Sequence, residues 1–382
     1  VINILTNRPR VWLALDHPSG RAYEVRGGTD EGFIADAYYY HSTRLVAKAA
    51  AVLGDNETAA AYQKRAEKIL SDLQQEYFTP TGRCAVDTQT AQILALYFGL
   101  TDYPERAHRE LMRLLHLRGD KLSTGFVGTP LLCRVLSQVG EDKMAYHLLH
   151  NEEYPGWLHE ILLGATTVWE RWNSLDEEGH ISSTGMNSLN HYSYGSVVEW
   201  VYRYVLGFRV DEADPGAKHL NIAPSYNWNL KEAAGNFDSA AGNYKVAWKI
   251  VDPTQVSLSV QVPFDASADI VLADAVEDTY ADKENPLFAD VCDGVCHVGS
   301  GTYEITYQVK TALKKSYSTY STVRELRSNA AIVKDLGEKM GLDRMPTQMM
   351  DMSLRDIMEK YAGAAGMGTE MLDQLDQVLA RF

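Results

Sequence analysis

The chain of 382 residues is long enough to form two or three domains with large cores. Its formal net charge is −15, from 36 Lys and Arg against 51 Asp and Glu, and this acidic balance disfavours binding to nucleic acid or to an anionic membrane. No apolar run reaches the about 18 residues that would predict a membrane-spanning helix.

The first 29 residues are interrupted by proline and glycine, and we expect a loop-rich segment that carries Trp12. The chain begins at Val1 without an initiator methionine and without the layout of a signal peptide. This start is typical of the middle of a longer protein, and the lack of a signal-peptide pattern favours the cytoplasm.

Helical periodicity then dominates up to Gly207. The spacing of apolar residues, together with capping and helix-breaking residues, predicts six helices, over 30–54, 57–77, 87–99, 103–117, 131–139 and 141–150. A short helix or turn over 153–163 and a final helix over 190–207 follow them. The helices form hairpins that recur every ~40–50 residues, as in helical-repeat architectures. An open solenoid and a closed toroid both fit, and long tryptophan-bearing loops favour the toroid.

After Gly207 the periodicity changes from 3.6 to 2. The segment 256–263 alternates strictly, and 244–251, 270–272 and 303–309 are further predicted strands, so we expect an antiparallel β-sandwich. Residues beyond 310 are helical and rich in methionine, either as a partner or dimer surface or as a loosely ordered tail. The predicted domains are 1–208, 209–310 and 311–382.

The four cysteines do not form a disulfide framework. Cys84 and Cys133 are isolated and predicted to be buried thiols. Cys292 and Cys296 flank a tight-turn sequence, where a disulfide across the turn and a chance pair are both open. A zinc site would need more Cys or His than His297 nearby, so we expect no metal.

One short stretch is the strongest candidate for chemistry. The residues Trp169-Glu170-Arg171-Trp172 place two indoles, a carboxylate and a guanidinium in sequence after an apolar run. Indole faces can stack on the apolar faces of a pyranose, and Glu170 can transfer a proton, so the stretch indicates a sugar site. The alternative is an interfacial helix end with a Glu–Arg surface pair.

Taken in order, several motifs resemble the bacterial α-L-rhamnosidases of glycoside hydrolase family 78. The resemblance covers roughly residues 10–310 and includes nothing of the tail after 310. It is carried by 164–172 and by seven other segments, Asp36-Ala37-Tyr38-Tyr39-Tyr40, Thr88-Gln89-Thr90, Thr124-Gly125-Phe126, Asn190-His191-Tyr192, Gly195-Ser196, Glu199-Trp200-Val201-Tyr202-Arg203 and Leu220-Asn221-Ile222-Ala223-Pro224.

The resemblance implies a partial (α/α)6 helical toroid followed by the β-sandwich, and inverting hydrolysis of terminal α-L-rhamnose without a cofactor. Inversion requires two carboxyl groups roughly 6.5–9.5 Å apart, one as acid and one as base. The resemblance makes Glu170 the general base, His191 a contact to the sugar and Trp12 part of the pocket wall. Trp169 and Trp172 are the predicted stacking residues.

The chain departs from the family pattern at two places. The family's general acid belongs to an Asp-x-x-Arg-x-Glu motif that is absent from residues 1–160, and Arg10-Val11 replaces the Gly-Asp that precedes the pocket tryptophan. Only about four hairpins are present. We therefore expect the chain to represent the C-terminal part of a rhamnosidase that lacks the acid and is inactive by itself.

Alternatives remain open for several residues. His191 could be a core histidine and Trp12 a plug under a loop, while Asp36 and Tyr38–Tyr40 fit barrel packing. The run 176–178 could be a solvated loop or a neighbour of the substrate.

We expect a rhamnosidase-like glycoside hydrolase that acts on a rhamnose-containing glycoside or oligosaccharide. A non-catalytic carbohydrate-binding or scaffold protein of the same fold is the alternative. Another toroidal hydrolase or lyase is disfavoured by the Asn-His-Tyr motif after Trp-Glu. Self-association into a homo-oligomer is left open.

Overall fold

The computed structural model describes residues 13–17, 27–176, 178–182, 187–277, 291, 293–350, 352–362 and 369–382. The chain divides into two compact units, Val1–Val205 and Leu206–Phe382. Trp12, Glu177 and Cys292 lie outside the described residues. The predicted domain boundaries after 208 and 310 stay predictions.

In its described residues, the first unit contains three helical hairpins, formed by the first and second, the third and fourth, and the fifth and sixth helices of the chain. The predicted helices are confirmed as α1 (Glu31–Val52), α2 (Asn56–Tyr77), α3 (Gln89–Phe98), α4 (Pro104–His116), α5 (Thr129–Gln138) and α6 (Asp142–Leu149). Helix α5 begins two residues before its predicted start, with Pro130 in the first turn, where the missing N–H removes no helical bond.

The N-terminal ends of α1, α3 and α5 lie side by side. Thr29 and Thr88, which precede α1 and α3, join their hydroxyl groups at 2.7 Å. Before α5, the backbone at Gly128 approaches α3 so closely that a Cβ there would lie 2.7 Å from the Thr90 hydroxyl oxygen. Glycine is therefore required at this contact. The two contacts together bring the loops before the three helices to one end of the unit.

A short helix α7 (Trp157–Leu162) follows, and the unit ends with a 3₁₀ turn (Ser193–Ser196), α8 (Val197–Trp200) and a π turn (Val201–Val205). The final helix is predicted to begin at residue 190, and this start is wrong because helical structure begins only at Ser193. The His191 N–H donates to the Val168 carbonyl at 2.7 Å rather than to a helical partner, so the preceding loop is fixed by a distant segment.

The second unit contains the predicted β-sandwich. Two four-stranded sheets have the orders β1-β2-β6-β7 and β3-β4-β5-β8. The strands are β1 (Phe208–Arg209), β2 (His219–Ile222), β3 (Glu232–Ser239), β4 (Gly242–Asp252), β5 (Gln255–Val262), β6 (Ser267–Val271), β7 (Val295–Val298) and β8 (Gly301–Gln308). Strands β2 and β6 pair in parallel, and the other described pairs are antiparallel.

Burial explains why the alternating segment forms β5. Val256, Leu258, Val260 and Val262 are buried, and the residues between them are partly exposed. The two sheets are joined by Tyr244 on β4, whose hydroxyl donates to the Ala217 carbonyl beside β2 at 2.9 Å.

The C-terminal region folds into helices around its own core rather than forming a loose tail. The segments 321–325 and 353–356 have the pattern of helix starts, and helices begin at Val323 and Leu354. At the first of them, Thr322 and Glu325 form a reciprocal capping box. Methionines such as Met340 and Met352 pack on the buried residues Leu326 and Leu354. The helices are α9 (Val323–Ser328), α10 (Ala330–Ile332), α11 (Glu338–Met340), α12 (Leu354–Ala362) and α13 (Thr369–Leu379).

In the described part of the chain, every helix is too short or too polar to cross a lipid bilayer.

Candidate active site

The structure brings Glu170 and His191 together through their backbones. The Glu170 N–H donates to the Ser188 carbonyl at 2.8 Å, and the His191 N–H donates to the Val168 carbonyl at 2.7 Å. The hydroxyl of Thr167 also donates to the Leu189 carbonyl. Two segments about twenty residues apart are thereby paired next to the N-terminal end of α5.

Glu170 is only 6% exposed, and its neighbour Arg171 is also buried. The alternative of a surface Glu–Arg pair is therefore wrong, because neither residue is on the surface. Burial lowers the pKa of Arg171, and the charge of Glu170 opposes that shift. An arginine stays protonated at neutral pH, so Glu170 has a cation beside it.

The imidazole of His191 is half-buried between aromatic neighbours. Its ring stacks with Phe126 at a centroid distance of 5.0 Å and with Tyr192 at 5.1 Å. The Ser193 N–H donates to Nδ1 of His191 at 3.2 Å. In the neutral ring Nδ1 is therefore the acceptor and Nε2 carries the hydrogen, which is available as a donor.

Both tryptophans of the predicted sugar site are almost fully buried. The ring of Trp172 stacks on Tyr194 at 4.0 Å, and Trp157 approaches it edge-on at 5.2 Å. Because so little of Trp169 and Trp172 is exposed, the arrangement favours a role for both rings in packing beneath the site and supporting it. Their stacking on a sugar stays a prediction, as does the role of Trp12.

Glu160 and Tyr194 were not identified from the sequence as site residues. Glu160 lies on α7, is buried, and accepts the Trp169 backbone N–H. Burial raises the pKa of its carboxyl group to about 8, and the hydrogen bond from Trp169 only partly opposes this. The sequence contained one signal for Tyr194, its place two residues after the Asn-His-Tyr motif.

An open cleft of about 540 Å³ lies at the N-terminal ends of α1 and α3. Its lining includes the carboxylates of Asp16, Asp30, Glu76 and Asp87, but none of the predicted site residues that the structure describes. Burial raises the pKa of Asp16, against the hydrogen bond that it accepts from the Gly28 N–H at 2.8 Å.

Asp176, Glu178 and His180 are exposed, as expected for a solvated loop. Within the described ranges, these three residues form the group that could hold a metal ion, because their side-chain ligand atoms lie within 4.8 Å of one another. In the sandwich, His297 instead contacts Asp269 at 2.6 Å, and Cys296 is a buried free thiol.

Comparison with known families matches nearly the whole of the first unit and the N-terminal part of the second. Residues 6–205 match the bacterial alpha-L-rhamnosidase 6 hairpin glycosidase domain, and residues 207–286 match the bacterial alpha-L-rhamnosidase C-terminal domain. The predicted toroid of helical hairpins followed by a β-sandwich is thereby confirmed.

Similar proteins carry the same description. An alpha-L-rhamnosidase of Alteromonas sp. (strain LOR) is 39% identical over 250 residues, which are 64% of this chain and 27% of the relative. One from Formosa agariphila is 37% identical over 265 residues, 68% of this chain and 28% of the relative. The chain thus spans little more than a quarter of the length of these relatives.

Solved structures of α-L-rhamnosidases have a similar fold. The Streptomyces avermitilis α-L-rhamnosidase complexed with L-rhamnose has a TM-score of 0.68 and 32% identity, covering 78% of this chain and 28% of that one. The α-L-rhamnosidase of Aspergillus terreus has a TM-score of 0.67 and 30% identity, covering 79% of this chain and 33% of that one.

Proposed function

The chain belongs to the bacterial α-L-rhamnosidases, and on that premise we propose that it supplies the general base and a sugar-contacting histidine for inverting hydrolysis of terminal α-L-rhamnosides. The observation that carries the proposal is the backbone pairing of the segment around Glu170 with the segment around His191. This pairing holds the two segments next to each other, which supports a site where a carboxylate and an Nε2–H donor act together on a sugar.

In this proposal Glu170 accepts a proton from a water molecule while the water oxygen attacks the anomeric carbon. The bond to the leaving oxygen breaks on the opposite face, and an acid protonates that oxygen. His191 donates from Nε2 to a hydroxyl of the sugar. Arg171 supplies a positive charge next to Glu170.

The acid is not assigned to any residue of this chain. The resemblance associates it with the Asp-x-x-Arg-x-Glu motif, which residues 1–160 lack. We propose no metal and no cofactor, and a rhamnose-containing glycoside as substrate. The rhamnose bound in the Streptomyces avermitilis relative supports that choice. Trp12, Trp169 and Trp172 are proposed as residues of the pocket and its support.

The test uses α-L-rhamnosyl fluoride, because fluoride leaves without needing a proton from an acid. The chain should release fluoride and form the β anomer of rhamnose, which proton NMR detects before the anomers equilibrate. Glu170→Gln should lower this rate by about 10²–10⁴-fold, the usual size of general-base assistance.

Glu152→Gln is the matched control, since it makes the same change at an exposed position, and it should keep the rate of the unaltered chain. Fluoride release that is unaffected by Glu170→Gln would eliminate Glu170 as the base. Binding of L-rhamnose without any fluoride release would instead support the non-catalytic carbohydrate-binding alternative, which the missing acidic motif favours.

A further inference from the structure

Helix α7 reverses the usual relation between polarity and burial. Ile161 and Leu162 are 59% and 66% exposed, whereas Glu160 beside them is 4% exposed. A glutamate is almost never fully buried unless it is paired, and a well-packed apolar side chain of similar size would fit the same place at lower cost. A buried glutamate in this position therefore indicates a function beyond stability.

Glu160 holds both ends of the loop that leads to Glu170. Its carbonyl accepts the Ala165 N–H at 3.0 Å, where the loop leaves α7. Its carboxyl group accepts the backbone N–H of Trp169, the residue directly before Glu170. The second contact is made by the side chain, so it depends on the identity of residue 160.

The carboxyl group of Glu160 is largely removed from water. Oε1 of Glu160 has no hydrogen-bond partner among the described residues, and the same holds for the Tyr194 hydroxyl and for Nε1 of Trp172. An ionised carboxylate in such a setting would be poorly stabilised. The fold therefore holds the carboxyl group of Glu160 in an environment that favours its protonated, neutral form.

We propose that Glu160 is a positioning residue for the catalytic carboxylate, which it acts on through the Trp169 backbone N–H. The inference rests on the proposed function, because it assigns a supporting role to a residue of the same site. Glu160 itself touches neither the substrate nor the reacting atoms.

The proposal has a consequence for pH. Burial raises the pKa of Glu160 to about 8, so the carboxyl group is protonated at neutral pH and ionises above pH 8. The titratable and charged groups around it are His159 on α7, Tyr154 before the helix, Tyr194 in the 3₁₀ turn, and Glu170 and Arg171 in the loop. Ionisation places a second negative charge near Glu170, and the loop should shift.

The first readout is tryptophan fluorescence from pH 6 to pH 10, which requires no activity. Three tryptophans report on this region, since the Trp169 N–H donates to Glu160 and Trp157 contacts Trp172 in the same part of the chain. The fluorescence of the intact chain should therefore show a transition near pH 8. Glu160→Gln keeps an acceptor for the Trp169 N–H but cannot ionise, and it should abolish the transition. Glu152→Gln should keep it.

The second readout is the release of fluoride from α-L-rhamnosyl fluoride. From pH 7 to pH 9 the intact chain should lose about tenfold in kcat, since one pH unit above the pKa leaves about a tenth of the group protonated. KM should change little. Glu160→Gln should keep its kcat across this range.

Glu160→Met separates positioning from stability. It fills the same space without an acceptor, so the chain should unfold no more easily, yet kcat should fall about tenfold to a hundredfold at every pH because Glu170 is displaced. A wild-type rate for Glu160→Met overturns the proposal.

The two readouts fail separately. If the intact chain releases no fluoride, the proposed function fails, and fluorescence still decides whether Glu160 controls the loop. If the transition near pH 8 is missing, or persists in Glu160→Gln, the inference on Glu160 is overturned whatever the activity.

Discussion

At the scale of single residues, the candidate site combines buried charges with buried hydroxyl and indole groups. Glu170 and Arg171 are a buried pair of opposite charges, which stabilises a fold weakly because both groups lose water. Tyr194 is buried against Trp172, and its hydroxyl has no hydrogen-bond partner among the described residues. These costs are typical of functional sites, where stability is given up for chemistry.

Tyr194→Phe tests this interpretation. A buried hydroxyl without a partner costs about 1–3 kcal/mol, so its removal should leave the free energy of unfolding unchanged or raise it by up to about 1 kcal/mol. Tyr244→Phe is the matched control, because the Tyr244 hydroxyl donates to Ala217 at 2.9 Å and its loss should cost about 1 kcal/mol. Urea unfolding followed by fluorescence measures both. Equal destabilisation by the two changes would contradict the interpretation of Tyr194.

At the scale of secondary-structure elements, strands β2, β6 and β7 are linked on one face by Asp269 between two histidines. Nδ1 of His297 lies 2.6 Å from one oxygen of Asp269, and Nε2 of His219 lies 3.3 Å from the other. Burial raises the pKa of Asp269, but the hydrogen bonds and the charges of the two histidines together lower it more. The net pKa is below the usual value, so the folded state favours the carboxylate.

Asp269→Asn should therefore lower stability in a pH-dependent way. Because the folded-state pKa is depressed, the contribution is present above the unfolded pKa of about 3.9 and is lost as the pH falls through the folded value. We expect a loss of about 0.5–1 kcal/mol at pH 6, after discounting for partial exposure, and none near pH 2. Thermal unfolding at the two pH values measures it.

Asp265→Asn is the control for this change, since Asp265 makes an ion pair with Lys218 at 3.1 Å that is largely exposed. That variant should stay within about 0.5 kcal/mol of the unaltered chain at both pH values. A loss at Asp269 that is the same at pH 6 and at pH 2 would show that the carboxylate charge is not the cause.

At the scale of the whole molecule, the first unit exposes large apolar side chains. Val52 and Leu53, at the C-terminal end of α1, are 87% and 84% exposed. Ile161 and Leu162 add a second site on α7. Large apolar side chains exposed at neighbouring positions are typical of interfaces, and in a free chain they favour association.

We expect the purified chain to self-associate with rising concentration, as light scattering would detect. The double change Val52→Lys and Leu53→Lys should reduce the average mass. Ala60→Lys adds a lysine at an exposed position on α2 without removing apolar surface, so it should leave association nearly unchanged. A chain that remains monomeric at every concentration would contradict this prediction.

Much of the architecture could be predicted because it depends on local chemistry. Asp30 caps α1 by accepting the Phe33 N–H at 2.8 Å, and such caps are readable from neighbouring residues. The alternation in β5 and the capping box at Thr322 are equally local. The motif around Glu170 was also visible, since it occupies consecutive positions.

The site itself was only partly predictable, because contacts between distant residues decide it. Residue types and their local patterns were enough to show which residues carry charge, which segments are helical or extended, and which family the motifs resemble. Folding is needed to show that Trp172 stacks on Tyr194, that 168–170 pairs with 188–191, and that Glu160 is buried while Ile161 is not. Burial sets the pKa of a carboxyl group and the exposure of an indole, and at these positions burial depends on contacts between segments that are distant in the sequence.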